Sequence, residues 1–115
     1  MDVFVHDVSL RVGEHALKGL WTQQELIADN IANVNTPGYR AKSLDFDGFM
    51  RQALRANSDI DAFVRQDQRT QFRTDGNQVD VEREMVLMME NSLRYRSVLS
   101  QVNRKMDMLN SIVRS

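Results

Sequence analysis

Two histidines are the first candidates for metal chemistry in this sequence. His6 and His15 are nine residues apart in a stretch with a helical pattern. A zinc-binding helix places its histidines about four residues apart, so that both rings reach one ion from the same face. The chain has no cysteine that could complete a ligand set. We therefore interpret both histidines as packing or surface residues and predict no metal site.

Paired carboxylates could serve as a general acid and a general base. Asp45 with Asp47, and Asp59 with Asp61, lie in polar, turn-like sequence with no apolar pocket to raise a carboxyl pKa. We interpret them as solvated helix caps. Residues 75–82 are similar to a calcium loop, but the glycine and the distal glutamate are not at the required positions. No glycine-rich phosphate loop is present either, so we predict no catalytic residue, no cofactor and no enzyme activity.

Composition narrows the classes of partner. The 115 residues are 42% hydrophobic and 27% charged, which suits one folded domain. A net charge of -1 gives no basic field for nucleic acid or for a membrane surface. Trp21 lacks the basic surround that base stacking needs, so we interpret it as a core or interface residue. The absence of cysteine favours cytosolic life, or stability supplied by assembly with other chains.

The start of the chain has no basic leader followed by an apolar core and a cleavage site, so we expect no cleaved signal peptide. No stretch approaches the ~20 apolar residues that cross a bilayer. We therefore expect no direct insertion into a membrane.

A long helix is predicted over residues 1–34. Apolar or small residues recur at alternating steps of three and four, which is a heptad seam. Gly13 and Gly19 weaken this helix, each by roughly 1 kcal/mol relative to alanine. The seam consists of Leu10, Gly13, Leu17, Leu20, Gln24, Ile27, Ile31 and Val34.

A second long helix is predicted over residues 80–115. Asp80 is a candidate N-cap, and Glu82 and Glu84 suit the positive end of the helix dipole. The same heptad steps continue to the end of the chain, and only Ser92 departs from apolar character. The seam consists of Val81, Met85, Met88, Ser92, Tyr95, Leu99, Val102, Met106, Leu109 and Val113.

Residues 35–79 between the helices are predicted to form a loop, a short helix and an irregular segment. Ser43 or Asp45 would cap the short helix. Asp75-Gly76 is a hairpin-type turn signal, so the sequence is compatible with a small β-ribbon around it. It is equally compatible with a segment that has no order before assembly.

The simplest packing places the two long helices side by side and antiparallel, because the chain goes out and returns. We therefore predict one all-α domain, an antiparallel coiled-coil hairpin with a short irregular middle segment. Apolar residues of the second helix, rich in methionine, extend beyond its seam. Such a surface usually meets another chain. Ordinary core filling would account for the methionines equally well.

The most specific motif is the corner that ends the first helix. Pro37 lacks a backbone N–H and disfavours helical geometry at Thr36, so the helix should end there or earlier. Gly38 accepts a positive φ, and Pro37-Gly38 therefore fits a type II turn. Asn33 and Asn35 tolerate left-handed geometry and can bond the last open carbonyls.

The string around this corner resembles the N-terminal signature of the flagellar basal-body rod and hook proteins. Further segments are similar to the small proximal rod members, and the middle is too short for the additional domain of the larger members. The matching segments are 26–39, 40–46, 76–85 and 91–95, and the family corner is Asn30, Asn33, Thr36, Pro37, Gly38 and Tyr39.

The resemblance implies a structural subunit of the proximal rod, which polymerises through its terminal helices into the helical tube that transmits torque. It implies several partners: further copies of the chain, other rod proteins, adaptor proteins at the rod base on the side of the MS ring and export gate, and the flagellar type III export apparatus. It implies a place in the periplasmic rod of the basal body, reached without a cleaved signal peptide. It brings no catalytic residue.

One alternative uses the same two seams. A small cytosolic adaptor or chaperone could form a closed dimer of helical hairpins. That alternative does not account for the Thr-Pro-Gly-Tyr corner.

Overall fold

Two long helices and a short middle segment make up the fold. The computed structural model describes residues 3–55, 59–67 and 80–114, with side chains from residue 7 onward. In chain order the elements are α1 (Val3–Ala32), β1 (Lys42–Leu44), α2 (Phe46–Met50), a 3₁₀ turn (Ile60–Phe63), β2 (Val64–Gln66) and α3 (Val81–Arg114).

α1 and α3 run antiparallel. Early in α1, Gly13 lies against Val102 of α3. Near the end of α1, Asn30 is hydrogen-bonded to Glu84 in the first turn of α3. Helices of 30 and 34 residues extend about 45 and 51 Å at 1.5 Å per residue, and the molecule measures 64 × 25 × 15 Å. The predicted antiparallel hairpin of long helices is confirmed.

Two glycines let other elements approach α1 closely. A β-carbon at Gly13 would lie 2.6 Å from Val102 Cγ2, and one at Gly19 would lie 2.9 Å from Phe49 Cδ2. Both distances are shorter than the roughly 3.5–4.0 Å of an ordinary carbon contact. The sequence placed Gly13 in the seam and otherwise predicted only what these glycines cost in helix propensity. In the structure, the absence of a side chain at Gly13 leaves room for α3, and its absence at Gly19 leaves room for α2.

The middle segment contains a two-stranded antiparallel ribbon of β1 and β2, in which Leu44 lies opposite Val64. A small ribbon was predicted, but around 75–76, which lies outside the described residues. The ribbon that is described lies elsewhere in the chain. Residues 45–63 connect its strands, so no tight hairpin turn marks it in the sequence.

Caps determine where the short helix and α3 begin. Asp45 accepts a hydrogen bond from Gly48 N at 3.1 Å and caps α2. The other candidate cap, Ser43, lies in β1. Asp80 accepts a hydrogen bond from Arg83 N at 3.2 Å, so the predicted cap of α3 is confirmed.

The core lies where α1 meets α3 and the middle segment. Phe49 is fully buried, and its ring stacks on His15 with 3.8 Å between centroids and meets the edge of Phe63 at 5.9 Å. His15 Nε2 lies 2.6 Å from the Phe49 carbonyl oxygen, which confirms His15 as a packing residue. The other buried apolar side chains are Ala16, Leu20, Ile27, Leu44 and Val102.

Candidate functional site

The corner after α1 is closed by hydrogen bonds among its own residues. Asn33 Nδ2 donates to the Asp29 carbonyl at 2.8 Å, and Thr36 Oγ1 donates to Asn33 Oδ1 at 3.1 Å. The Tyr39 N–H donates to the Thr36 carbonyl at 3.2 Å, across the Pro37-Gly38 pair. The glycine has a φ of +77°, as the third position of a type II turn requires. The predicted helix stop and turn are confirmed.

Asn30, in the last turn of α1, joins the corner to β1 and to α3. Its Nδ2 donates to the Lys42 carbonyl at 2.8 Å and to Glu84 Oε2 at 3.0 Å. Its Oδ1 accepts from Lys42 N at 2.9 Å and from the Tyr39 hydroxyl at 3.2 Å. The amide therefore uses both of its donors and both of its acceptor positions. Since Asn30 is only 1% exposed, its amide is not hydrogen-bonded by solvent, and these four bonds satisfy it instead.

The charges around Asn30 act on Tyr39. Burial raises the pKa of the Tyr39 phenol, and the carboxylates of Asp29 and Glu84 raise that pKa further. Both effects disfavour the phenolate. Below its ordinary pKa the phenol is protonated and can donate to Asn30, as the geometry requires.

The raised pKa of Tyr39 predicts a loss of stability in alkali. The unfolded chain releases the phenol proton near the ordinary pKa of 10.0, before the folded chain does. The contribution of Tyr39 is therefore fully present below that pH and is lost as the pH rises through the folded pKa. We expect the free energy of unfolding of the natural chain to fall more steeply above pH 10 than that of Tyr39→Phe, in urea titrations at stepwise pH. Parallel curves for the two proteins would contradict this.

A second polar contact joins α1 to α3 further along the hairpin. Asn91 Nδ2 donates to the Leu20 carbonyl and to Gln24 Oε1, both at 2.8 Å, and Asn91 is buried. The resemblance included Asn91 in its matching segment 91–95, but the seam analysis did not predict its burial, because a polar residue does not add to an apolar seam. Its seven-residue distance from Glu84 was the available signal, since residues seven apart share a face of a paired helix.

The predicted seam residues differ in burial. Leu20, Ile27 and Val102 are buried. A second group is half-buried and consists of Leu10, Leu17, Ile31, Met88, Tyr95 and Leu109. A third group is exposed and consists of Met85, Leu99, Met106 and Val113. The face of α3 that is turned toward α1 thus lies beside the predicted seam and includes the polar residues Glu84 and Asn91.

The outer side of α3 carries exposed apolar residues. Met85, Val86, Met89 and Leu93 are 55%, 55%, 69% and 65% exposed, and we call them the methionine ridge. Met89 lies two residues from the buried Asn91 and therefore about 160° around the helix from it. The ridge faces away from α1 and is uncovered in the single chain.

A groove lies between α1 and α3, and none of the described residues of the middle segment lines it. Trp21 and Tyr95 are its aromatic residues, with 6.1 Å between ring centroids, and Trp21 is 58% exposed. The cavity has a volume of about 150 Å³. We call it the aromatic groove, and it is lined by Leu20, Trp21, Gln24, Asn91, Ser92, Tyr95 and Arg96.

The candidate chemical residues have structural partners. Asp45 caps α2 and lies 3.8 Å from Arg65, and Asp59 accepts from Asp61 N at 3.1 Å in the 3₁₀ turn. The His6 side chain and most of the stretch 75–82 lie outside the described residues. Within residues 7–55, 59–67 and 80–114, no three acidic or histidine side chains are grouped as metal ligands. In the same part of the chain, neither long helix is apolar enough to cross a membrane.

Comparisons with known proteins agree with the corner motif. The family model of flagella basal body rod proteins matches residues 10–40, which include most of α1 and the whole corner. Flagellar basal body rod protein FlgB of Bacillus subtilis is 29% identical, and the alignment covers 87% of this chain and 88% of that protein. The FlgB protein of Escherichia coli is 28% identical, with 95% of each chain covered. That of Aeromonas hydrophila is 30% identical, with 86% of this chain and 87% of the relative covered.

Proposed function

The chain belongs to the FlgB family of flagellar basal body rod proteins, and we propose that its two terminal helices are the surfaces through which it polymerises. It is a structural subunit of the proximal rod. The observation that carries the proposal is the exposed apolar surface of α3, where Met85, Leu99, Met106 and Val113 are uncovered in the single chain. Full burial of such a side chain from water is favourable by about 1.5–3 kcal/mol, and burial between subunits contributes the share of it that corresponds to the area still exposed.

The structure of the hairpin also suits a subunit that transmits mechanical force. Its helices are long, packed along their length and tied by the buried amides of Asn30 and Asn91. A heterologous contact between copies that does not close on itself produces a helical filament. The proposed role is thus to form a section of the tube that transmits torque, with the exposed seam residues of α3 at its subunit interfaces.

The remaining partners are proposed from family membership. They are other rod proteins, adaptor proteins at the rod base on the side of the MS ring and export gate, and the flagellar type III export apparatus. The proposed location is the periplasmic part of the rod, reached without a cleaved leader. A rod subunit needs no catalytic residue, and none is proposed. The alternative of a cytosolic adaptor is less well supported, because the relatives are rod proteins.

Replacing Leu99 with aspartate tests the assembly role of α3. Leu99 is 37% exposed, so the single chain can hydrate the new carboxylate and should retain its helices. In an assembled rod, the carboxylate would be removed from water without a partner, at a cost of a few kcal/mol. We expect at least about a tenfold loss of the chain from purified basal bodies, and loss of swimming in cells that lack the natural copy.

Leu54→Asp is the matched control. Leu54 is 52% exposed, and lies in the turn after α2 rather than on a terminal helix. We expect this variant to assemble and to restore swimming. Circular dichroism should give the same helix content for both variants. Normal incorporation of Leu99→Asp would show that this part of α3 is not a subunit interface.

A further inference from the structure

The methionine ridge and the aromatic groove are chemically complementary. Methionine sulfur makes favourable contacts with aromatic rings, and the ridge contains two methionines while the groove contains Trp21 and Tyr95. Tryptophan, tyrosine and arginine are the residue types that contribute most to protein interfaces, and all three line the groove. Both surfaces belong to the same chain, so a second copy brings the complement of each.

Charge supports the same pairing. Glu90 follows Met89 on α3 and is exposed, and Arg96 lines the groove and is exposed. Neither makes an ion pair within the residues that the structure describes. An acidic residue thus lies beside the ridge, with Arg94 one turn further along, and a basic residue lies in the groove. Opposite charges that meet across an interface select the partner and its register.

We propose that the methionine ridge of one copy inserts into the aromatic groove of the next copy, with Glu90 facing Arg96. The inference rests on the proposed polymerisation and deepens it, because it names the two surfaces that meet. The contact is heterologous, since ridge and groove are different surfaces, and every added copy presents a new ridge and a new groove.

The positions of the two surfaces along α3 also determine a stagger. The ridge is centred on residue 89, and the α3 side of the groove is centred on residue 94. Five residues of α-helix correspond to about 7–8 Å. Parallel neighbours joined in this way are displaced along the axis of α3 by that distance. The same register brings Glu90 level with Tyr95 and Arg96 of the next copy.

Cysteine cross-linking tests the contact against a clean background, because the natural chain has no cysteine. Met89→Cys places a thiol on the ridge and Ser92→Cys places one in the groove. The two single variants carry different epitope tags and are produced together in cells that lack the natural copy. Purified basal bodies are then oxidised. We expect a disulfide-linked dimer that contains both tags, at least tenfold above the yield from Met89→Cys paired with the control Leu54→Cys.

Charge exchange provides an independent readout. Arg96→Glu should lower the amount of the chain in basal bodies by at least about tenfold, and adding Glu90→Arg to the same chain should restore most of it. Restoration would not follow if Arg96 acted only within its own subunit.

The outcomes separate the contact from the broader function. If the chain is present in basal bodies but only Met89→Cys pairs are linked to one another, the contact is symmetric and the ridge-to-groove pairing is wrong. If the chain is present and no link forms, the pairing is also wrong, while the rod role stands. If the cysteine variants restore swimming no better than an empty vector and the natural chain is itself absent from basal bodies, the proposed function fails, and the pairing fails with it.

Discussion

Replacing Asn30 with alanine is expected to lower the free energy of unfolding by about 3–5 kcal/mol. The change leaves four groups without their partner. A buried orphaned group costs about 1–3 kcal/mol, and the part-buried groups of Lys42 and Tyr39 cost less, because water can reach them. The Glu84 carboxylate contributes most, because it is only 7% exposed and carries a charge. Urea unfolding followed by circular dichroism measures the loss.

Asn33→Ala is the control for Asn30→Ala. Asn33 makes its two side-chain hydrogen bonds in exposed positions of the same corner, so water can replace them. We expect its loss to be about 1 kcal/mol or less. Equal losses for both variants would mean that the corner as a whole, rather than the buried amide, stabilises the hairpin.

Asn30→Asp separates hydrogen bonding from shape. Aspartate has nearly the shape of asparagine and can still accept from Lys42 N and from the Tyr39 hydroxyl, but as a carboxylate it has no N–H to donate to Glu84. It also places a second negative charge beside the Glu84 carboxylate, whose Oε2 lies 3.0 Å from Asn30 Nδ2 in the natural chain. We expect Asn30→Asp to be at least as unstable as Asn30→Ala at pH 7. A stability close to that of the natural chain would overturn the proposed importance of the Asn30–Glu84 bond.

Replacing Phe49 with alanine is expected to cost about 3–5 kcal/mol, as truncation of a fully buried aromatic side chain usually does. Phe49 is 0% exposed and fills the space between Gly19, His15 and Phe63. Its loss should release the middle segment from α1. In hydrogen exchange, the amides of β1 and α2 should therefore lose more protection than those near Asn91.

Leu54→Ala is the control for Phe49→Ala. Leu54 also lies in the middle segment, but it is 52% exposed, and we expect a change within about 0.5 kcal/mol. Retained protection of β1 and α2 in Phe49→Ala would show that other contacts hold the middle segment in place.

The parts of the fold that were predictable depend on short-range sequence. The heptad steps predicted both long helices and their antiparallel pairing, because residues three and four apart share a helix face. Pro37-Gly38 predicted the corner, because proline and glycine restrict the backbone wherever they occur.

The parts that were missed depend on contacts between distant residues. Asn30 and Glu84 are 54 positions apart, and nothing local marks either one as buried. With Glu84 and Asn91 inside the helix junction, α3 is turned away from its purely apolar seam. The position of the ribbon was not predicted for the same reason, since its strands are separated by α2 and the 3₁₀ turn. Gly13 was placed in the seam and Gly19 was interpreted only as a weak point of α1, but neither close approach was predicted, because the neighbours belong to α3 and α2.

The hydrogen bonds of the Asn30 amide also affect unwanted association between molecules. A strand with an unpaired edge can recruit strands from other molecules and start aggregation. Ala41 and Asp45 are hydrogen-bonded on the β2 side of β1, to residues that flank β2. Backbone groups alternate in direction along a strand, so the Lys42 N–H and carbonyl point to the opposite side, where Asn30 is hydrogen-bonded to both. The side chain thus pairs with Lys42 as a neighbouring strand would, and covers that part of the ribbon's edge. In a subunit that we propose polymerises through its helices, this contact disfavours association through the ribbon and leaves the helices free to assemble.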